Sequence, residues 1–348
     1  MAIEQSTSER TSGNLDGTVT TEAQPIIDVR HLTKHFPVGG FVSKQAVHAL
    51  EDVSFSIPQG EVVALVGESG SGKSTTARLL ARLIAPTSGE IVYEGKDILI
   101  TQPRGASLSY RSEVQMVFQD PFGSLNPVHP IRYHLERPLK IHKKTRGRRE
   151  LRERMHELLE TVGLEPPDEV AAKYPYQLSG GQRQRVAFAR ALAVEPKVML
   201  ADEPVSMLDV SVRAGILDLL AGLRRSGLGI LMITHDLSTA AHYADRIAVM
   251  YLGRIVELGP AVDVVRNPQH PYTRALISVV PSRDPLARAR PQLLEGETPN
   301  PTDIPPGCRF APRCPMVEER CKSIDPELRP VGEAHEAACI LVGAPSPS

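Results

Sequence analysis

The sequence predicts an α/β fold with a mixed or parallel sheet at its core, and three observations lead there. Val62-Val63-Ala64-Leu65-Val66, Val198-Met199-Leu200-Ala201 and Ile230-Leu231-Met232-Ile233 are short, unbroken apolar runs, the pattern of strands buried on both faces. Helical periodicity at Val186 to Val194 and Ala214 to Leu223 lies between them, and strands alternating with helices favour a parallel sheet. Third, Gly67-Glu68-Ser69-Gly70-Ser71-Gly72-Lys73-Ser74 follows the first run and opens a helical pattern near Lys73, matching G-x-x-x-x-G-K-[ST] in its expected strand–loop–helix setting.

Residues 1 to 24 lack periodic apolar positions and read as a disordered tail. Structure begins with a short strand at Ile26 to Val29. Val53 to Ile57 alternates with a period of two, and Pro58-Gln59-Gly60 supplies the turn after it. Residues 104–178 read as an inserted helical subdomain. Within it, Arg137 to Arg154 holds nine Lys/Arg against two Glu, read as a solvated helix face, with contact to anionic lipid headgroups as the alternative. Beyond about Asp263 proline becomes frequent, including Pro281, Pro285 and Pro291. The expected plan is therefore a tail (1–24), a nucleotide-binding domain (25–262) and a loop-rich extension with little core of its own (263–348).

Composition sets outer limits. With 348 residues, 41% hydrophobic and 23% charged, the chain is neither disordered throughout, nor collagen-like, nor a coiled-coil rod. A net charge of −1 provides no global basic field, so no nucleic-acid partner is expected. No apolar run approaches the roughly 20 residues that cross a bilayer, and the N-terminus lacks the apolar segment of a secretory signal. The expected location is cytoplasmic, with any membrane role exercised through partners.

The glycine-rich loop carries the clearest chemistry. Glycines let successive N–H groups turn inward as an anion nest, and the helix N-terminus adds positive potential. Lys73 would reach the β- and γ-phosphates, Ser74 would ligate Mg²⁺, and Thr75 completes the binding segment. Asp202 ends the second apolar run, where open α/β sheets place their ligands. It would hold Mg²⁺ directly or through water, and Glu203 would polarise the attacking water. Two adjacent acids can also be a solvated loop, but beside the glycine-rich loop the catalytic reading is preferred.

Leu178-Ser179-Gly180-Gly181-Gln182, before a helical pattern starting near Arg183, resembles the signature of ATP-binding cassette (ABC) proteins. Other elements of that family follow in order. Gln119 in Val117-Phe118-Gln119-Asp120 resembles the Q-loop. Ser206-Met207-Leu208-Asp209 resembles the D-loop, with Met207 where Ala is usual. His235 in Ile233-Thr234-His235-Asp236 resembles the switch histidine. The resemblance implies a P-loop NTPase fold of the ABC ATPase type. Two cassettes would pack head to tail around two ATP molecules, with Ser179, Gly180, Gly181 and Gln182 of one facing the phosphate loop of the other. Gln119 would sense Mg²⁺ and water, and His235 would stabilise the γ-phosphate. Phe36 aligns with the aromatic that stacks on adenine, with a core Phe as the alternative.

Phe118 to Pro127, Asp202 to Ser206 and His270-Pro271-Tyr272-Thr273-Arg274-Ala275-Leu276 are similar to ATP-binding subunits of oligopeptide and dipeptide importers. The insertion from Pro37 to Val47 suits the subunit that pairs with a second, different cassette. The resemblance implies an assembly of two cassettes, two transmembrane permease subunits and an extracytoplasmic peptide-binding protein, with this chain peripheral on the cytoplasmic face of the inner membrane. Residues Pro121 to His134 would border the groove for a permease coupling helix. Related cargoes, such as nickel chelates or glutathione, stay open. A soluble cassette ATPase acting on nucleic acid or ribosomes is the rival reading; such proteins usually carry two cassettes or coiled-coil arms, and this chain has neither. A redox-responsive regulator is a third, but it would not require every nucleotide motif.

No cysteine occurs in the first 307 residues, whereas Cys308, Cys314, Cys321 and Cys339 share the last 41. Four clustered thiols in a cytoplasmic chain point to a metal site rather than disulfides. The spacing lacks the tight C-x2-C knuckles of most zinc sites. Gly307 to Pro315 resembles the C-terminal extension of the peptide-importer cassettes, some of which carry a four-cysteine iron–sulfur cluster. The resemblance implies a [4Fe–4S] cluster of structural role, with Zn²⁺ or no metal as alternatives.

Overall fold

A computed structural model describes residues 25–39, 45–279, 294, 296 and 298–343. The tail at 1–24, the middle of the Pro37–Val47 insertion at 40–44, and Pro281, Pro285 and Pro291 lie outside them. Two sheets form the frame. One is antiparallel, in the order β2 (Ala46–Ile57), β1 (Ile27–Pro37), β4 (Ser88–Tyr93), β5 (Lys96–Asp97). The second is mixed, in the order β11 (Arg329–Gly332), β12 (His335–Ala337), β10 (Arg254–Pro260), β9 (Arg246–Tyr251), β3 (Val62–Val66), β8 (Gly229–Thr234), β7 (Val198–Asp202), β6 (Val114–Val117). From β9 to β6 all neighbours are parallel.

The apolar runs are unbroken because both faces of this sheet are covered. Val63, Leu65, Leu200 and Ile233 point to a core shared with Ile27, Phe55 and Ile91 of the antiparallel sheet. Val62, Ala64, Val66, Met199 and Met232 point to the other core, against Phe188 and Ile216 of the helices. Each such side chain, removed from water, contributes about 1.5–3 kcal/mol. The first helix after β3, Lys73–Leu80, starts where the sequence predicts. The signature helix runs Gly180–Leu192 and so begins three residues before the expected Arg183. Ser179 provides the reason: its side chain caps the helix, and Gln182 bonds back to the Ser179 amide, a capping box.

The helical region needs one correction. Residues 114–117 fall inside the expected helical stretch 104–178, yet they pair parallel with β7 as the edge strand of the large sheet. A four-residue strand interrupted by Gln115 has too short a pattern to stand out from the flanking helices. The helices that follow are Pro121–Ser124, Ile131–Ile141, Arg148–Thr161 and Pro167–Ala172. The basic stretch is largely paired with acids: Lys140 with Glu136, Arg149 with Glu153, Arg152 with Asp168, and Arg154 and Lys144 with Glu195. The solvated-face reading therefore accounts for it; exposed pairs of this kind contribute about 0–1 kcal/mol each.

The extension is not core-poor. Its β12 pairs with β10 and β11 with β12, which lengthens the large sheet. Tyr272 and Phe310 are buried in the main core, their rings 4.7 and 5.3 Å from that of Tyr251. Glu257 of β10, fully buried, accepts from His335 at 2.8 Å and from the amides of Gln269 and His270 at 2.7 and 2.9 Å. A buried carboxylate persists when its oxygens are satisfied in this way.

Candidate functional site

Parallel register assembles the site. Val66 lies opposite Thr234, Ile233 opposite Asp202, and Ala201 opposite Val117. The residues leaving these four strand ends therefore emerge along one sheet edge: the loop from Gly67, His235, Glu203 and Gln119. This edge is the carboxyl end of the strands, where α/β sheets bind ligands. Gly72, the residue before the helix, has φ 108°, and a Cβ there would lie 2.5 Å from the Ala49 carbonyl oxygen. The loop's sharp entry into the helix thus demands glycine.

Lys73 is buried, and its Nζ donates to the carbonyls of Gly67 and Glu68, both at 2.7 Å. Burial pulls its pKa down, while the charges of Glu203, Asp202 and Glu68 oppose that shift. A poorly hydrated cation resting on neutral carbonyls is set to exchange them for phosphate oxygens. Ser74 Oγ donates to Asp202 Oδ1 at 2.9 Å. Burial raises the Asp202 pKa and the Glu203 charge adds to the rise, against the Ser74 hydrogen bond, which lowers it. A hard cation between Ser74 and Asp202 would reverse that shift; oxygen donors of this type suit Mg²⁺. Thr75 follows within the helix.

Glu203 sits between two partners. Gln119 Nε2 donates to Oε2 at 2.8 Å, and His235 Nδ1 lies 3.3 Å from Oε1. Its backbone has φ 45°, a conformation that costs a non-glycine residue about 1–3 kcal/mol and is concentrated at functional sites. The His235 side chain is 61% exposed, so it is free of the core and open to a ligand at this edge. Phe36 lies next to last in β1, with 37% exposure and Lys34 Nζ 4.8 Å above its ring. That exposure removes the core-Phe alternative.

The signature stays apart from this constellation. Ser179 and Gln182 bond to each other, and Ser179 is exposed. Gly181 lies so close to Val212 of the helix Val210–Arg225 that a Cβ would strike it. The small residue lets the two helices approach, while Ser179 at the start of the signature helix is exposed.

All four cysteines border one pocket beside His270 and Phe310. Burial pushes the Cys308 thiol up to about 11, opposed by the amides of Phe310 and Ala311. Cys314 and Cys339 are likewise raised by burial and opposed by the amides of Met316 and of Leu341 and Val342. Amides directed at sulfur suit bound thiolates better than free thiols. Sulfurs on a single zinc would be about 3.8 Å apart, given Zn–S bonds of about 2.3 Å in a tetrahedron. Among the described residues, the group of three or more His, Cys, Asp or Glu side chains whose ligand atoms lie within 4.8 Å of one another is His35, His48 and Glu51.

Sequence reasoning missed the supports of Glu68. Tyr272 Oη accepts from the Glu68 amide at 2.9 Å, and Arg313 Nη1 contacts both Glu68 carboxylate oxygens, the nearer at 2.9 Å. Both residues lie in segments that carried the importer resemblance, but nothing local in the sequence indicated their target.

Comparison with known proteins agrees with this geometry. Residues 50–206 match the ABC transporter family, and residues 256–321 match the C-terminal region of oligopeptide/dipeptide transporters. The chain is 47% identical over 319 residues to a probable peptide ABC transporter ATP-binding protein of Sinorhizobium fredii, covering 90% of this chain and 89% of that one. It is 44% identical over 325 residues to the dipeptide transport ATP-binding protein DppF of Escherichia coli, covering 92% and 96%. Among solved structures, the dimeric post-hydrolysis ATP-binding cassette MJ0796 bound to ADP and Pi overlays with a TM-score of 0.59 and 32% identity, over 68% of this chain and 98% of that one. The chain belongs to the ABC transporter family. Within it, the chain is an ATP-binding subunit of the oligopeptide/dipeptide type.

Proposed function

We propose that this chain binds and hydrolyses ATP to power import of di- and oligopeptides through a membrane transporter. The observation that carries the proposal is the convergence of Lys73, Ser74, Gln119, Asp202, Glu203 and His235 on one sheet edge, beside a C-terminal region of the peptide-transporter type. The phosphate loop from Gly67 to Thr75 holds the phosphates, and Phe36 stacks on the adenine. Ser74, Asp202 and Gln119 would hold Mg²⁺, which would supply the charge that offsets the phosphates. Glu203 takes a proton from the attacking water, and His235 steadies both Glu203 and the γ-phosphate.

Ser179, Gly180, Gly181 and Gln182, at the start of a helix whose capping Ser179 is exposed, serve a partner's ATP, so two cassettes form the working unit. The insertion between Pro37 and Val47 favours a different cassette as that partner. One surface groove contains Leu83, Met116, Phe118, Tyr133 and His134, and its apolar lining fits a permease coupling helix. Two permease subunits and an extracytoplasmic peptide-binding protein complete the assembly at the cytoplasmic face of the inner membrane. No helix among the described residues is long and apolar enough to cross a membrane, in keeping with a peripheral subunit. Cys308, Cys314, Cys321 and Cys339 would hold a [4Fe–4S] cluster that ties the extension together. Their gathering around one pocket supports a shared metal site, with Zn²⁺ as the alternative.

Reconstitution tests the reading. The isolated chain should hydrolyse ATP slowly, and turnover should rise when the partner cassette and permeases are present with peptide-loaded binding protein. A monomer with full complex-level turnover, verified as monomeric by light scattering during the assay, would contradict it.

A further inference from the structure

Glu68, the second residue of the phosphate loop, is held by the extension at both its main chain and its side chain. Its amide donates to Tyr272 Oη at 2.9 Å, across 204 residues of sequence. Its carboxylate meets Arg313 Nη1 at 2.9 and 3.2 Å, across 245 residues, and Oε2 accepts from Thr298 Oγ1 at 2.9 Å. Thr298 Oγ1 also accepts from Arg313 at 3.1 Å. The carbonyl of the same residue receives Lys73 Nζ. One loop residue thus links the ammonium that would bind phosphate to a guanidinium outside the cassette.

We propose that Arg313 is a positioning residue of the nucleotide site, acting through Glu68, so that the seating of the four-cysteine segment is read out as ATP affinity. The inference rests on the ATP-binding reading above. The physical argument is electrostatic and steric. A carboxylate in the phosphate loop repels an incoming triphosphate unless a cation neutralises it. Arg313 provides that cation, and with its side chain only 10% exposed it is little screened by water. Fixing Glu68 also fixes the Glu68 carbonyl on which Lys73 rests. Arg313 in turn is positioned by the cysteine segment, since it ends a tight turn between Cys308 and Cys314. In that turn Ala311 N donates to Cys308 O at 3.0 Å, Arg313 N to Phe310 O at 3.0 Å, and Cys314 N to Ala311 O at 3.3 Å. Cys308 N is bonded to Cys321 O at 2.9 Å, so displacing Cys321 pulls on the same turn.

Equilibrium titration of the full chain with a fluorescent ATP analogue tests this. Arg313→Ala should raise the Kd about tenfold, the scale of a lost charged hydrogen bond, and Arg313→Lys should recover most of it. In a Glu68→Gln background the effect of Arg313→Ala should shrink below about twofold, because no loop charge is left to neutralise. Cys321→Ser should also weaken binding, and less than additively with Arg313→Ala. An unchanged Kd in Arg313→Ala, an equal loss in both Glu68 backgrounds, or full additivity with Cys321→Ser would overturn the proposal. A Lys73→Ala control separates the two readings: if that variant binds as tightly as wild type, the nucleotide site itself has been misassigned.

Discussion

Ser74 Oγ donates a 2.9 Å hydrogen bond to Asp202 Oδ1 across 128 residues of sequence. The two oxygens meet because the helix after β3 and the end of β7 share one sheet edge. The bond holds both oxygens in place for a cation that would take over as their shared partner, the hydroxyl keeping its proton. Asp202→Asn should keep most Mg²⁺-independent nucleotide binding while raising the Mg²⁺ concentration needed for half-maximal hydrolysis at least about tenfold. Ser74→Ala should move the same parameter less. A Mg²⁺ titration of steady-state ATPase in the assembled transporter reads both, and unchanged Mg²⁺ dependence in Asp202→Asn would remove it from the metal site.

Glu203→Gln should bind ATP and lose turnover by at least about 100-fold, the scale of a lost general base. The amide preserves shape and can still bond Gln119, but it cannot take a proton. Near-normal hydrolysis by the variant complex would reject Glu203 as the base. His235→Ala should also lower turnover, because His235 lies 3.3 Å from Glu203, and should weaken ATP binding less than Lys73→Ala does, because the phosphate loop stays intact.

Glu257 ties the extension to β10 through His335 and two helix-start amides. Glu257→Ala leaves those donors buried without an acceptor and should cost about 3 kcal/mol. Glu257→Gln keeps one acceptor oxygen and should cost less. Thermal unfolding followed by circular dichroism orders the two variants; equal midpoints for both and for wild type would show that the latch adds nothing to stability.

Protein prepared without oxygen should carry about four irons and four sulfides per chain. One zinc and no sulfide would establish the rival site, and no metal under either condition would remove both. Cys321→Ser should loosen the extension, seen as faster hydrogen exchange in the strands Arg329–Gly332 and His335–Ala337, and leave exchange in the central strands near normal.

The phosphate loop, the buried strands and the signature were legible from the residues alone. Gly67 to Ser74 declares a phosphate loop because its function resides in consecutive backbone amides, and consecutive residues are what a sequence displays. The buried parallel strands were legible for a similar reason: a strand covered on both faces must be apolar throughout. Ser179 and Gln182 likewise carry their helix cap within four residues. Only the tertiary structure decided that residues 114–117 are an edge strand, that the Pro-rich extension adds strands to the main sheet, and that Arg313 and Tyr272 bear on Glu68. Those outcomes pair residues tens to hundreds of positions apart. They are set by how sheets and helices bury their faces against each other, which no local pattern encodes.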